Sequence, residues 1–197
     1  MFPGDGAQTN NTQEVIVQRL GIFGGAFDPV HEGHIHIARL AREALDLERV
    51  YFLPLGQAVH KNQPHYSAAK RVELIRQAIA PYDYLDICLY DIERDAPSYA
   101  ADTLENLQKL PDFTGRDLYY IIGIDAFERI FDWKNPRRLL QLVKFIVAAR
   151  PGYDFSGIER RFALEESFLD RIFLLENSGV DMSSTRIRKA GGQWQKT

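Results

Sequence analysis

The chain has 197 residues, a formal net charge of −3, and 45% hydrophobic and 26% charged residues. This length suits one domain with a sizeable core, and the composition excludes a disordered chain, a fibre and a disulfide-stapled scaffold. The near-neutral charge disfavours a dedicated nucleic-acid-binding protein, which would carry a basic excess. The single cysteine, Cys88, cannot form an internal disulfide, and Cys and His residues with zinc-finger spacing are absent.

Residues 1–18 are predicted to form a flexible N-terminal tail, and residues 19–197 a single domain. The tail contains several Gly, Pro and Asn residues and has neither the basic start nor the apolar segment of a signal peptide. No stretch of the sequence approaches the roughly 20 apolar residues needed to span a bilayer. We therefore expect a cytoplasmic protein with no membrane partner.

Past the tail, short β-branched and aromatic runs alternate with longer helical patterns. The predicted strands are Val15–Phe23, Val50–Leu53, Leu85–Leu89, Leu118–Ile122, Phe145–Ala149 and Ile172–Leu175. The predicted helices are Gly33–Leu45, Ala68–Ile79 (with Ser67 as N-cap), Ala100–Leu110, Pro136–Leu142 and Ile158–Ser167. This alternation predicts an α/β fold: a Rossmann-like single domain whose mostly parallel sheet carries helices on both faces. Functional residues should then follow the carboxyl ends of strands.

The exit of the first strand, residues 21–34, reads GIFGGAFDPVHEGH. Gly24 and Gly25 lack Cβ atoms, so their backbone could approach a phosphate closely, and the next helix offers free N–H groups to an anion. His31 and His34 are three residues apart and can face the same pocket. The pattern indicates a cradle for a nucleoside triphosphate.

Other interpretations of this stretch stay open on the residues alone. The glycines could be simple punctuation between a strand and a helix. His34 could cap the apolar face that continues to Leu45, and His36 is interpreted as structural. Three histidines within six residues also raise a metal site, but no set of carboxylates accompanies them.

Residues 24–34 resemble the signature of the HxGH nucleotidyltransferase superfamily and, within it, the bacterial nicotinate-nucleotide adenylyltransferase family. Ala26 stands where that family usually has Thr. The resemblance implies the reaction of ATP with nicotinate mononucleotide to give deamido-NAD and pyrophosphate in NAD biosynthesis. It also implies a catalytic role for His31 and His34, and ATP-binding roles for Gly24, Gly25 and Phe27.

Near the end of the chain, residues 182–188 read MSSTRIR. Hydroxyl residues before a basic turn suit a phosphate-binding helix N-terminus, and an arginine fork can grip phosphate oxygens; an ordinary capped helix with a solvated basic face is the alternative. The segment resembles the family's ISSTxxR motif, with Met182 in place of Ile. This implies a catalytic Arg188, and Ser183 and Ser184 as ATP-binding residues.

The middle of the chain carries three further family-like segments. Lys61 lies in a polar loop after the second strand, where a lone lysine is usually just solvated, and the resemblance places it over the triphosphate as a catalytic residue. His65 stays unassigned. Residues 97–104 resemble the family's SYTxDTL segment, which implies that Tyr99 and Ala100 bind the nicotinate end; Ala100 replaces the usual Thr, and Ser98 could be simply an N-cap.

Residues 123–133 keep the family pattern GxDxFxxxxxW. The resemblance implies that Gly123 and Asp125 bind ATP and that Trp133 stacks on the pyridine ring. From the residues alone, Asp125 could be only a helix cap and Trp133 a core residue. Arg150, after the fifth strand, also matches the family pattern, and both a structural role and a role on the adenosine side stay open for it.

The implied chemistry needs no general base and no covalent intermediate, because the attacking phosphate monoester is already largely ionised at neutral pH. It needs alignment of two anions and stabilisation of the leaving pyrophosphate, for which the expected groups are His31, His34, Lys61, Ser184 and Arg188. Mg²⁺ is expected to be carried mainly by the ATP phosphates, without protein ligands.

Two other function classes stay open. A sister transferase would move AMP or CMP to a different phosphate, which Gly123, Asp125 and Trp133 disfavour. A nucleotide sensor would bind without turnover, which the intact His31, His34, Lys61 and Arg188 disfavour. The sequence leaves open whether the protein forms a homo-oligomer and how strongly it prefers nicotinate to nicotinamide mononucleotide.

Overall fold

The computed structural model describes residues 17–59, 63–149, 153, 156–157 and 168–176. Six strands form one sheet in the order β3-β2-β1-β4-β5-β6, and every neighbouring pair is parallel. The strands are β1 (Arg19–Gly25), β2 (Arg49–Pro54), β3 (Leu85–Ile87), β4 (Asp117–Gly123), β5 (Lys144–Ala149) and β6 (Ile172–Glu176). This is the strand order of a doubly wound fold, with its switch point between β1 and β4.

The described helices connect successive strands. They are α1 (Glu32–Leu45), α2 (Ala68–Ile79), α3 (Tyr90–Glu93), α4 (Ala100–Leu107), α5 (Ile124–Phe127) and α6 (Pro136–Leu142), with a 3₁₀ turn at Ile130–Asp132. The α2 helix starts as predicted, because the Ser67 hydroxyl accepts a hydrogen bond from the Lys70 backbone at 3.3 Å. No helix in the described part of the chain is long and apolar enough to cross a membrane.

Each face of the sheet carries its own hydrophobic cluster. On one face α1 and α2 bury apolar residues such as Ile35 and Ile75 against β1 and β2. On the other face α4, α5 and α6 bury residues such as Leu104 and Leu139 against β4 and β5. The predicted Rossmann-like domain, with a parallel sheet covered on both sides, is therefore confirmed.

The structure corrects several predicted boundaries. The first strand was predicted to end at Phe23, but β1 runs from Arg19 through Gly25, because Gly24 and Gly25 pair with the last two residues of β2. The strand predicted over Leu85–Leu89 ends at Ile87, and the helix predicted over Ala100–Leu110 ends at Leu107. The short helices α3 and α5 were not predicted, since four residues are too few to show a helical period.

The alternative interpretation of Ser98 as the N-cap of α4 was wrong. Tyr99 occupies that position, and the Ser98 hydroxyl instead accepts a hydrogen bond from the Gly56 backbone at 3.1 Å. Ser98 therefore joins the loop after β2 to the start of α4. The predicted helix Ile158–Ser167 and residues 15–16 of the first predicted strand lie outside the described residues.

Candidate active site

The centre of the site is a pair of stacked histidines at the start of α1. His31 is the N-cap residue of the helix, and His34 lies in its first turn. Their rings stack with centroids 3.7 Å apart, so the structure brings the two imidazoles together. The His31 backbone N–H donates to Nδ1 of His34 at 3.1 Å. That contact puts the His34 proton on Nε2, which is left as a donor.

Both imidazoles are neutral at pH 7. Burial lowers the pKa of His31 to about 4, and His31 is only 6% exposed. Burial also lowers the pKa of His34 well below its usual value, and the nearby charge of His31 lowers it further. As neutral imidazoles, the two side chains can act as hydrogen-bond donors to a phosphate but bring no positive charge to it.

The Nδ1 atom of His31 is buried and makes no hydrogen bond to any described residue, although the His31 side chain faces the His34 backbone N–H in a capping-box arrangement. A buried polar atom without a partner costs about 1–3 kcal/mol, so such atoms are uncommon in folded proteins. A ligand that reaches this nitrogen would recover that energy. The observation favours a polar ligand at the histidine pair.

Aromatic side chains pack against the histidine pair. The Phe27 ring lies 5.1 Å from the His34 ring and 5.4 Å from Phe23, both edge to face. Phe27 is 2% exposed and its backbone has a positive φ of 46°. Its side chain is therefore in the core, so the ATP contact predicted for Phe27 can come only from its backbone.

The three glycines of the predicted ATP site differ in what surrounds them. A Cβ on Gly24 would lie 1.9 Å from the Tyr120 hydroxyl, and one on Gly25 would lie 3.1 Å from the Phe27 ring. A Cβ on Gly123 would meet no atom of the described residues within 4 Å. Gly24 is thus required by packing against β4, whereas no described residue would obstruct a side chain at Gly123.

The segment expected to bind the nicotinate end has its own ordered contacts. Lys134 lies 4.3 Å from the centre of the Tyr99 ring and forms an ion pair with Asp102 at 2.8 Å. Trp133, one residue earlier, is partly buried and packs against the hydrophobic cluster under α4 and α6. Ala100 is the first residue of α4 and is also partly exposed.

Asp125 lies in the first turn of α5 and is exposed, next to Gly123 at the end of β4. It is not the helix cap, a position that Gly123 takes. The remaining predicted site residues lie outside the described residues: Lys61, Arg150, Ser183, Ser184 and Arg188.

Sequence reasoning missed three residues at this site: Asp28, Arg71 and Tyr120. Asp28 received no role in the sequence analysis, yet its carboxylate accepts backbone hydrogen bonds from His65 and Tyr66. One signal was available for Arg71, because it lies one turn before Ile75 on the apolar face of α2. A charge at such a position indicates a buried, paired arginine.

A metal site is not visible in the parts of the chain that the structure describes, which hold no group of three or more His, Cys, Asp or Glu side chains placed to ligate one ion. Mg²⁺ prefers oxygen ligands in octahedral geometry. The described residues around the histidine pair instead offer N–H donors, which suit phosphate oxygens.

Comparisons with known proteins show which family the chain is similar to. A model of the cytidylyltransferase-like family matches residues 22–190. A protein of Desulfitobacterium hafniense, named probable nicotinate-nucleotide adenylyltransferase, is 36% identical over 173 residues, which are 87% of this chain and 83% of that protein. The chain belongs to the nicotinate-nucleotide adenylyltransferase family.

Two further comparisons extend this result. A Rubrobacter xylanophilus protein of the same printed name is 37% identical over 174 residues, with 87% of this chain and 79% of that protein covered. The structure of Plasmodium falciparum nicotinic acid mononucleotide adenylyltransferase, complexed with NaAD, superposes with a TM-score of 0.67 over 87% of this chain and 83% of its own. At 19% identity, this superposition shows a shared fold.

Proposed function

We propose that the protein transfers the adenylyl group of ATP to nicotinate mononucleotide, giving deamido-NAD and pyrophosphate. The observation that carries the proposal is the stacked histidine pair at the switch point of the sheet. Among the described residues, Nε2 of His34 is left as a donor and the buried Nδ1 of His31 has no hydrogen-bond partner. The relatives that match over most of the chain carry the name of this activity.

The triphosphate of ATP would lie over the end of β1 and the start of α1. There the backbone of Gly24 and Gly25 and the neutral histidines would donate hydrogen bonds to its oxygens. Because these donors are held by the sheet and the helix before ATP arrives, they need little reorganisation in the transition state. Asp125 and Gly123, at the end of the neighbouring strand, are proposed to bind the ribose side.

The nicotinate ring would lie between Trp133 and the start of α4. Trp133 is only partly buried and packs against the core, and a partly exposed aromatic side chain suits stacking on a flat ring. Tyr99 and Ala100 would contact the same end of the substrate. For Ala100 that contact must come from its backbone, because a methyl side chain has no polar atom.

The proposed reaction proceeds by direct attack of the mononucleotide phosphate on the α-phosphorus of ATP. The P–O bond to the pyrophosphate breaks as the new P–O bond forms, with no enzyme-bound intermediate. We propose that the triphosphate is bound by Lys61, Ser184 and Arg188, and that Ser183 belongs to the same phosphate-binding turn as Ser184. Mg²⁺, carried by the ATP phosphates, would neutralise part of their charge, and we expect the enzyme to act in the cytoplasm.

Product analysis tests the proposal. The protein is incubated with ATP, Mg²⁺ and nicotinate mononucleotide, and the products are identified by mass spectrometry. Formation of deamido-NAD and pyrophosphate in equal amounts supports the proposal. Consumption of ATP without deamido-NAD, or transfer to a different phosphate acceptor only, would contradict it.

A further inference from the structure

A buried arginine lies directly behind the phosphate-binding strand. Arg71, in the first turn of α2, is 2% exposed, although a guanidinium is rarely buried in a protein core. Burial lowers its pKa, and the negative charge of Asp28 acts in the opposite direction. Burying such a charge costs several kcal/mol before its contacts compensate, so an apolar side chain would be the cheaper way to fill this space.

The three hydrogen bonds that Arg71 donates to described residues go to backbone carbonyls of loops around the site. One terminal nitrogen donates to the Ala26 carbonyl at 2.9 Å, and the other donates to the Leu55 carbonyl at 2.7 Å. The Nε donates to the Tyr66 carbonyl at 3.3 Å. A single planar group therefore joins the segment after β1, the segment after β2 and the turn before α2.

The Asp28 carboxylate also connects the segment after β1 to the turn before α2. Its two carboxylate oxygens accept hydrogen bonds from the backbone N–H groups of His65, at 2.7 Å, and Tyr66, at 2.8 Å. The segments after β1 and after β2 are also hydrogen-bonded to each other directly, because the Leu55 N–H donates to the Gly25 carbonyl at 2.9 Å. Ala26 and Asp28 lie on either side of Phe27, which has a positive φ of 46°.

We propose that Arg71, with Asp28, is a positioning residue that fixes residues 25–28 so that the glycine backbone and the histidine pair meet the ATP phosphates in the right geometry. Arg71 acts through the backbone and does not touch the substrate. This inference rests on the proposed function, because ATP is taken as the ligand of that loop. It assigns to α2 a part in ATP binding that its position on the outer face of the sheet does not suggest.

The test compares Arg71→Met, which fills similar volume without donors, with Arg71→Lys, which keeps the charge but loses the planar fork. Arg76→Met, at an exposed position of the same helix, is the matched control. Affinity for an α,β-methylene analogue of ATP is measured directly, and kcat and both KM values are measured at a temperature well below each variant's melting point.

We expect Arg71→Met to weaken analogue binding and lower kcat/KM for ATP by about tenfold to a hundredfold, the size of effect that a misplacement near 1 Å produces. The KM for nicotinate mononucleotide should change less than threefold, Arg71→Lys should recover part of the loss, and Arg76→Met should behave as wild type. A lower melting temperature with unchanged ATP affinity and kinetics would overturn the inference, as would an equal loss for both substrates.

Two further comparisons cover the cases in which Arg71→Met does not fold or the wild-type protein is inactive. If Arg71→Met does not fold, Arg71→Lys and Asp28→Asn carry the same comparison, since Asn offers a donor where one carboxylate oxygen accepts. If the wild-type protein transfers no adenylyl group, the proposed function fails. Binding of the ATP analogue then still tests the positioning role, because it requires no turnover.

Discussion

The Nε2–H of His34 is the group for which the structure makes the sharpest claim. Its Nδ1 is already used by the His31 backbone, so only Nε2 can reach a ligand. We expect His34→Ala to lower kcat by about 10²–10³, the usual cost of removing one transition-state donor. Steady-state kinetics with saturating substrates measures this.

Matched variants separate this role from helix capping. His34→Asn can keep an acceptor near the Nδ1 position but cannot reach the Nε2 position, so it should be as slow as His34→Ala. His36→Ala, on the same helix, should have normal turnover. Normal kcat in a folded His34→Asn variant would contradict the donor role.

His31 makes the stability of the protein depend on pH. Its pKa is about 4 in the folded protein and near 6.5 when unfolded, so the unfolded chain binds more protons between these values. Stability should therefore fall as the pH drops from 7, with His31 contributing about 2–3 kcal/mol of the loss by pH 4.5.

Denaturant unfolding at pH 7.0, 5.5 and 4.5 measures this effect. His31→Gln should show a smaller acid loss than wild type, while His65→Gln, at an exposed position, should follow wild type. An identical pH dependence in wild type and His31→Gln would show that His31 is not held neutral by burial.

At the scale of the elements, a glycine lies near the end of β1 (Gly24) and another at the end of β4 (Gly123), and the structure predicts different effects of replacing them. A methyl group on Gly24 would overlap the Tyr120 hydroxyl, which is buried between the strand and α4, so Gly24→Ala should destabilise the protein by about 1–3 kcal/mol or more. Gly123→Ala should leave stability within about 0.5 kcal/mol but raise the KM for ATP. Melting curves and kinetics of both variants test the contrast; equal destabilisation would contradict it.

The turn after α5 carries the proposed ring-stacking residue. Trp133→Ala should raise the KM for nicotinate mononucleotide by about tenfold, because aromatic stacking contributes about 1–3 kcal/mol per base-like ring. Trp133→Phe should retain most of the affinity. An effect confined to the KM for ATP would reject the assignment.

The elements also show what could be read from the sequence. The helices α2 and α6 were predicted to the residue, because a capping serine and a proline mark their starts. The path of β1 through its glycines could not be predicted, since it depends on pairing with β2 and on a tyrosine 96 positions away from Gly24, at Tyr120. The neutral state of the histidines was missed for the same reason: burial is a property of the fold.

At the scale of the whole molecule, the strand order explains why distant motifs form one site. Because β1 and β4 are neighbours, the histidine segment after β1 and the segment Gly123–Trp133 after β4 begin at the same edge of the sheet. The alternation of strands and helices predicted that functional residues follow the strands, but the sequence analysis did not predict that β1 and β4 are neighbours. The buried Arg71 that joins the loops was not predicted, because its three partners are backbone carbonyls, which a sequence does not distinguish.

The most direct measurement is pyrophosphate release from ATP and Mg²⁺ with nicotinate mononucleotide, nicotinamide mononucleotide, or no acceptor. We expect rapid release with the nicotinate compound and none without an acceptor, and the ratio of the two mononucleotides gives the selectivity for the acid. A folded protein that binds ATP yet releases no pyrophosphate with either mononucleotide would contradict the proposed function and indicate a sister transferase or a nucleotide sensor.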